Sequence, residues 1–236
     1  MLIEEAKWIG NELGRLIHLG NIKKVLNIGS STADSWTSVQ KHVKEFVMLP
    51  LEKSNISIVN TDIKDGEGVE IAGDLNDEEF IKKLNEDKFD LIICSNLLEH
   101  VESPVRIASH ISQLVRKGSF AIITVPRNYP YHPDPEDYLF RPDINGLKDL
   151  FRGLDCVSAA IVEGRRALVK NNRIKYCSNY IQVLINDPRL LILTFLRLIT
   201  PFYRYSNWKK TAGYLPYIFK PFSVTCMVLV KQENHD

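Results

Sequence analysis

The sequence is poor in cysteine and uses none of it in pairs. Cys94, Cys156, Cys177 and Cys226 are its four. They lie far apart, and no CxxC spacing sets up a zinc site or a redox motif, so they read as reduced thiols. Charge of either sign is not in excess: 30 Lys and Arg face 29 Asp and Glu, a net charge of +1. That removes the electrostatic footprint of a nucleic-acid partner. No apolar run reaches the roughly 18 residues that a membrane span needs. Glu4 and Glu5 stand where a secretory signal would be basic, so the expected location is the cytoplasm. Internal repeats and low-complexity segments are missing too.

What is present is an ordinary globular composition, 44% hydrophobic and 25% charged over 236 residues. It suits a single domain over 1–236, with 164–221 as an insertion within it. Leu2, Ile3, Ala6, Ile9, Leu13, Leu16 and Ile17 recur at helical spacing and predict an amphipathic helix that packs on a sheet. Lys24 to Ile28 reads as a short buried strand cut off by Gly29. A helix is expected over Ser35 to Phe46, with Trp36, Val39, Val43 and Phe46 towards the core. Strand, glycine turn and helix form the opening unit of a nucleotide-binding sheet, and the helix start leaves free N–H groups for a ligand. The alternative is an ordinary βα turn with one glycine.

Ile56 to Asp62 reads as the second strand. A carboxylate at its end, beside the glycine turn, is placed to accept from both hydroxyls of a ribose; the alternative is an ordinary acidic loop residue. Val69 to Ile71 is the expected third strand, followed by Asp74, free to reach a ligand, and by Asp77 as a helix cap. Phe89 to Cys94 is the clearest buried strand and runs into Ser95-Asn96. Ser103-Pro104 opens a helix, Ser119 to Val125 is a fifth strand closed by Pro126, Asp143 caps a helix, and Val157 to Val162 is a sixth strand. Alternation of strand and helix predicts a doubly wound, mostly parallel sheet with its ligand outside the carboxyl ends of the strands. Gly29, Asp62, Asp74, Asn96 and Arg127 all fall at such ends.

A polar, proline-rich loop follows from Arg127 to Pro142, stiff enough to hold polar groups over a site. The segment 164–221 then carries basic residues, an apolar helix from Leu190 to Ile199, and aromatics among Lys and Arg. That helix has three readings: core or homodimer packing, interfacial contact with the inner membrane surface through 189–210, or a lid over the substrate. Ser223 to Val230 is the final strand.

With these residues in hand, the chain resembles the class I S-adenosylmethionine-dependent methyltransferases over roughly Asn21 to Glu163 and the last strand. Val25-Leu26-Asn27-Ile28-Gly29 is similar to their first motif. Asp62 matches their ribose-binding acid, and Gly73-Asp74-Leu75 the stretch that binds near the adenine amino group. Phe89 to Val101, with Ser95, Asn96 and Leu97-Leu98-Glu99-His100-Val101, is similar to their fourth-strand motif in the small-molecule branch. Tyr131-His132-Pro133-Asp134-Pro135 looks like a loop of a branch associated with glycan or small-metabolite methylation.

The resemblance implies a seven-stranded Rossmann-like fold with a helical insertion before the last strand. It implies S-adenosylmethionine as cofactor, held by Asn27, Gly29, Ser31, Asp62, Ile63, Asp74, Leu75, Ser95 and Asn96, and a small-molecule or glycan acceptor, lipid-linked if the 189–210 region meets a membrane. His100 is the first choice of base, against the alternative of a histidine that merely packs or caps, with His132 and Asp134 as further candidates open to the same alternative. Arg141 suits either an anionic acceptor or a loop salt bridge. A metal on His132, Asp134 and Glu136 is disfavoured by their proline-broken spacing.

The family usually has an acid where Asn27 stands and glycines where Ser31 and Ala33 stand. These departures add bulk near the cofactor's methionine part and keep a non-catalytic cofactor-binding protein as the alternative. A nicotinamide dehydrogenase is disfavoured because Gly29-Ser30-Ser31-Thr32-Ala33 does not fit GxGxxG. A peripheral membrane adaptor is the third class.

Overall fold

The structure is a computed structural model that describes residues 1–20, 22–132, 136–164 and 221–232. Asp134, Cys177 and the Leu190–Ile199 helix lie outside the described residues, so the three readings of that helix stay open.

Seven strands form one sheet in the order β3-β2-β1-β4-β5-β7-β6. These are β1 (Lys24–Ile28), β2 (Ser57–Asp62), β3 (Ile71–Ala72), β4 (Leu91–Ser95), β5 (Phe120–Asn128), β6 (Asp155–Glu163) and β7 (Ser223–Val230). Strands β1 to β5 pair in parallel, while β7 runs antiparallel between β5 and β6. The expected doubly wound, mostly parallel sheet is therefore present. Its strand order turns back between β1 and β4, which places a crevice at the carboxyl ends of those two strands.

Both faces of the sheet are covered, as a parallel sheet requires. On one face α1 (Ile3–His18) buries Ala6, Ile9, Leu13 and Leu16 against Val25, Leu91, Ile93, Ile122 and Val228. On the other, α4 (Glu78–Glu86), α5 (Pro104–Leu114) and α6 (Ile144–Leu150) pack on Leu26, Ile28, Ile92, Ala121 and Met227. Side chains of one strand alternate between the two clusters, the period-two rule for a pleated sheet. Three expected caps are in place: the side chains of Asp77, Ser103 and Asp143 accept from Glu79 N–H, Arg106 N–H and Gly146 N–H.

Several boundaries differ from expectation. The helix over Ser35 to Phe46 is broken into wide turns at Ser35–Val39 and Lys44–Met48, separated by α2 (Lys41–Val43), and α3 (Leu49–Lys53) ends the run. Gln40 N–H reaches back five residues to Ser35 C=O, so the turn that carries Val39 is wider than an α-helical one. Val39, expected in the core, is 74% exposed in consequence, while Val43 and Phe46 pack against the α1 cluster as expected.

Strand β3 is two residues long and starts later than Val69, because Val69 N–H is spent on a turn to Gly66 C=O. Strand β4 begins at Leu91, two residues past Phe89, and β6 extends to Asp155 and Glu163. Strand β5 does not stop at Pro126 but runs on to Asn128, with a register shift against β7 at the proline. A bulge accommodates the residue that cannot donate to the ladder.

Candidate functional site

Strand β1 ends at Ile28, and the chain turns at Gly29 with φ +68°. A Cβ at Gly29 would lie 3.1 Å from the Leu97 side chain, so both backbone conformation and space favour glycine there. Ser31 also takes a left-handed conformation, φ 57°. The serine thus adopts the backbone form that glycine takes freely, at a cost of about 1–2 kcal/mol. Its N–H is captured by the Asp62 carboxylate, Oδ2 accepting at 2.9 Å, while Asp62 Oδ1 accepts from Lys64 N–H at 3.1 Å. The acid at the end of β2 therefore ties the glycine turn of β1 to its own strand.

Asn27 stands opposite Asn60 in the β1–β2 register, and its amide donates to Asn60 Oδ1 at 2.8 Å. Where the resembled family usually has a charge, this chain has a neutral amide pair. Ala33 gives its N–H to Glu67 C=O at 2.8 Å and packs towards Gly68. It is not among the residues that line the cavity, whereas Ser31 is.

A cavity of about 690 Å³ opens over these strand ends. Its wall holds Asn27, Gly29, Ser31, Asp62, Ile63, Asp74, Leu75, Ser95 and Asn96, every residue expected to contact the cofactor, together with His100 and His132. Arg127, at the end of β5, is not part of that wall. Asp74 is anchored through Oδ1, which accepts from Asn76 N–H at 2.8 Å and from Asn76 Nδ2 at 3.0 Å. Ser95 Oγ is buried without a hydrogen-bond partner among the described residues.

The cavity suits the nucleoside cofactor. Each Asp62 oxygen has accepted one backbone N–H and keeps lone-pair capacity for a ribose hydroxyl. Ile63 is 67% exposed at the rim, an apolar surface for a flat base. The volume falls in the range of pockets that enclose a ligand of this size.

The floor is set by a residue that the sequence pattern hides. Glu5 of α1 is fully buried. Its Oε1 accepts from Asn96 Nδ2 at 2.7 Å and from Thr124 Oγ1 at 2.6 Å, and its Oε2 from Leu2 N–H at 3.0 Å. The Asn96 amide is thus turned to the floor, and Asn96 holds a left-handed backbone, φ 52°. Glu5 falls on the same helical face as Ala6 and Ile9, and that phase is the signal that could have marked it as buried.

The other end of the cavity holds Glu99, His100, Tyr129 and His132. Glu99 is fully buried and neither carboxylate oxygen has a hydrogen-bond partner among the described residues. Burial pushes its pKa up to about 8, against the pull of its own backbone N–H and of Arg141, with Glu5 and Asp137 adding to the rise. Burial likewise lowers the pKa of His100, against the hydrogen bond to Glu136 C=O that would raise it, which leaves a neutral imidazole near pH 7.

The rings of His100 and His132 meet edge to face with centroids 5.0 Å apart, and Tyr129 stands 5.1 Å from His132. Asp137, buried, accepts from His132 N–H at 3.1 Å and from Leu139 N–H at 2.8 Å, and pairs with Arg141. Burial alone would raise the Asp137 pKa; the Arg141 guanidinium and the two N–H donors outweigh it and hold it below the ordinary value. Arg141 is thereby committed to the loop salt bridge, the second of its two expected roles. The sequence singled out His100 and His132 but neither Glu99 nor Asp137 as side chains of the site. Three acids in one loop (Asp134, Glu136, Asp137) look alike until one is buried.

A methyltransferase domain family model matches residues 14–152. No curated protein matches. Similar solved structures include coclaurine N-methyltransferase bound to N-methylheliamine and S-adenosylhomocysteine, 10% identical over 96% of this chain and 70% of that one, TM-score 0.52. The [4+2]-cyclase SpnF is 12% identical over 96% and 81%, TM-score 0.54. YjhP from Escherichia coli is 13% identical over 98% of both chains, TM-score 0.50. At such identities these likenesses speak to the fold, while the family match spans more than half of the chain. The protein belongs to the methyltransferase domain family, among the class I S-adenosylmethionine-dependent methyltransferases.

Proposed function

We propose that this protein transfers a methyl group from S-adenosylmethionine to a small-molecule acceptor seated against His100, His132 and Tyr129. The observation that carries the reading is the Asp62 carboxylate, held against the glycine turn by Ser31 N–H in a cavity that continues to the histidines. Asp62 takes the ribose, Ile63, Asp74 and Leu75 the adenine end, and Gly29, Ser31 and Asn27 the methionine part, with Ser95 and Asn96 below the reacting centre.

When bound, the cofactor supplies a sulfonium methyl, open to in-line displacement. The chain's own part is alignment, which provides much of the rate in such a reaction, and reception of the acceptor's proton. His100 is suited to that second task. Its Nδ1 is bonded to Glu136 C=O, so its Nε2 carries the free lone pair. His132, and Asp134 in the same loop, are assigned to acceptor contact. A glycan is one acceptor class that the polar loop suits, and the lipid-linked variant depends on 189–210.

The test is turnover of S-adenosylmethionine to S-adenosylhomocysteine with a panel of hydroxyl- and amine-bearing small molecules and glycans. Wild type is expected to turn over with one acceptor class. His132→Ala is expected to lose turnover while keeping cofactor affinity within about threefold, since nothing it touches belongs to the ribose or adenine end. Equal loss of both would make the loop structural and overturn the assignment.

A further inference from the structure

Glu99, His100 and His132 each place one ligand atom within 4.8 Å of the others. They come from two separate segments: Glu99 and His100 from the short turn after β4, His132 from the proline-rich loop. Three features of this trio exceed a chance meeting of polar groups.

The first is the Glu99 carboxylate. It is fully buried, faces the cavity and, its own backbone N–H apart, meets no hydrogen-bond donor on either oxygen among the described residues. His100 Nε2 lies 3.6 Å from Oε1, outside hydrogen-bonding range. A carboxyl group buried this way stays ionised only where something positive meets it. Arg141, the cation of the adjoining loop, is already paired with Asp137.

The second is the state of the imidazoles. His100 Nδ1 is bonded to the Glu136 carbonyl. His132 Nδ1 lies 3.1 Å from Asp137 Oδ2 and 3.3 Å from Pro130 C=O. An Nδ1–H donated to a carbonyl or carboxylate fixes the tautomer and leaves Nε2 as a bare lone pair. Histidines that bind metals are held in this manner.

The third is support. Asp137, which orients His132, is itself locked by Arg141 and Leu139 N–H. The orienting group thus has one defined position, as a preorganised ligand set requires.

We propose that Glu99, His100 and His132 form a binding site for one divalent transition-metal cation of the zinc class, with its open coordination positions turned into the cavity. Two imidazole nitrogens and one carboxylate oxygen suit Zn²⁺ or Co²⁺ better than Mg²⁺ or Ca²⁺, which prefer all-oxygen shells. The set shares only His132 with the His132–Asp134–Glu136 trio that the sequence spacing disfavours; Glu136 enters through its backbone carbonyl, behind His100. The inference rests on the acceptor reading above in one respect: the open positions would then take an oxygen of the acceptor and draw it to the methyl end. A cation there occupies the lone pairs otherwise offered to a proton.

The experiment is a titration of the chelator-treated full chain with Co²⁺ and with Zn²⁺, followed by cobalt absorption and by calorimetry, without cofactor. One equivalent is expected to bind. Glu99→Gln and His132→Ala are expected to weaken it at least tenfold, and His18→Ala, on the exposed end of α1, to leave it unchanged. Should either site variant fail to fold by circular dichroism, electron paramagnetic resonance of the Cu²⁺-loaded wild type decides instead, with two imidazole nitrogens coupled to the metal expected. No binding by wild type, binding unaffected by the folded variants, or a copper spectrum without two nitrogens overturns the site. Cofactor binding, titrated separately, reports on the methyl-transfer reading: cofactor binding without metal sinks only this inference, and metal binding without cofactor sinks only that reading.

Discussion

Glu5 and Asn96 are separated by 91 positions in the chain and meet at 2.7 Å, the buried carboxylate of the first helix accepting from the amide at the end of the fourth strand. The contact fixes the first helix to the floor of the cofactor cavity. Removing the acceptor strands the fully buried Thr124 hydroxyl, an orphaned donor that costs about 1–3 kcal/mol, and frees the half-buried Asn96 amide. Glu5→Ala is expected to lower stability by at least that much in urea unfolding. It is also expected to weaken cofactor binding, because the left-handed Asn96 backbone loses its brace. Unchanged stability would mean that the contact is replaced by water without loss.

The glycine turn allows a sharper backbone test. Gly29→Ala introduces a Cβ 3.1 Å from Leu97 at φ +68°. The expected cost is about 1–2 kcal/mol for the left-handed residue, read as a fall in the urea midpoint with an unchanged slope. Ser31→Gly relieves the same strain at the next left-handed position and is expected to stabilise by a fraction of that amount. If Ser31→Gly instead destabilises, its hydroxyl contributes more than its backbone costs.

These positions show what the sequence made legible. Gly29, Asp62, Asp74 and Asn96 could be placed at one end of one sheet because strand pattern and alternation set topology, and topology sets which strand ends adjoin. The depth of a polar residue is different. Glu5 looks like one of several acids in the first turn of a helix, and Glu99 like the polar member of an apolar run; only packing shows that both are fully buried. The helix over Ser35 to Phe46 misled for a local reason. Apolar spacing assumes regular α-helical turns, and the wide turn over Ser35–Val39 alters the phase, so that Val39 is exposed.

The Asp137–Arg141 pair leads to a pH prediction. The folded pKa of Asp137 is depressed. Near the ordinary value of about 3.9 the unfolded chain therefore takes up the proton first, and stability falls as pH drops through that value towards the folded one. Arg141→Met should remove this acid-side contribution. At neutral pH it should also destabilise, by up to about 3–5 kcal/mol, since the buried carboxylate loses its guanidinium and keeps the two backbone N–H donors and His132. Thermal unfolding of both proteins between pH 3 and pH 7 checks the sign. A wild-type stability that rises on acidification in this range, with no such rise in the variant, would contradict the assignment.

Buried thiols give a further check of the strand placement. Cys94 in β4 and Cys226 in β7 are fully buried, and burial, the largest influence, pushes both thiol pKa values far up. Neither is expected to be alkylated by iodoacetamide in the folded protein at pH 8, whereas Cys156, only half-buried, is expected to react first of the three. Peptide mapping by mass spectrometry reads all three sites, and early labelling of Cys94 would place the fourth strand wrongly.

The central claim is that Asp62 holds the ribose of S-adenosylmethionine at the glycine turn. Calorimetric titration of the cofactor into wild type and into Asp62→Ala tests it most directly. Two charge-assisted hydrogen bonds are at stake, so the variant is expected to lose about 2–4 kcal/mol of binding free energy, with its fold retained by circular dichroism. A folded Asp62→Ala protein that binds S-adenosylmethionine as tightly as wild type would contradict the account.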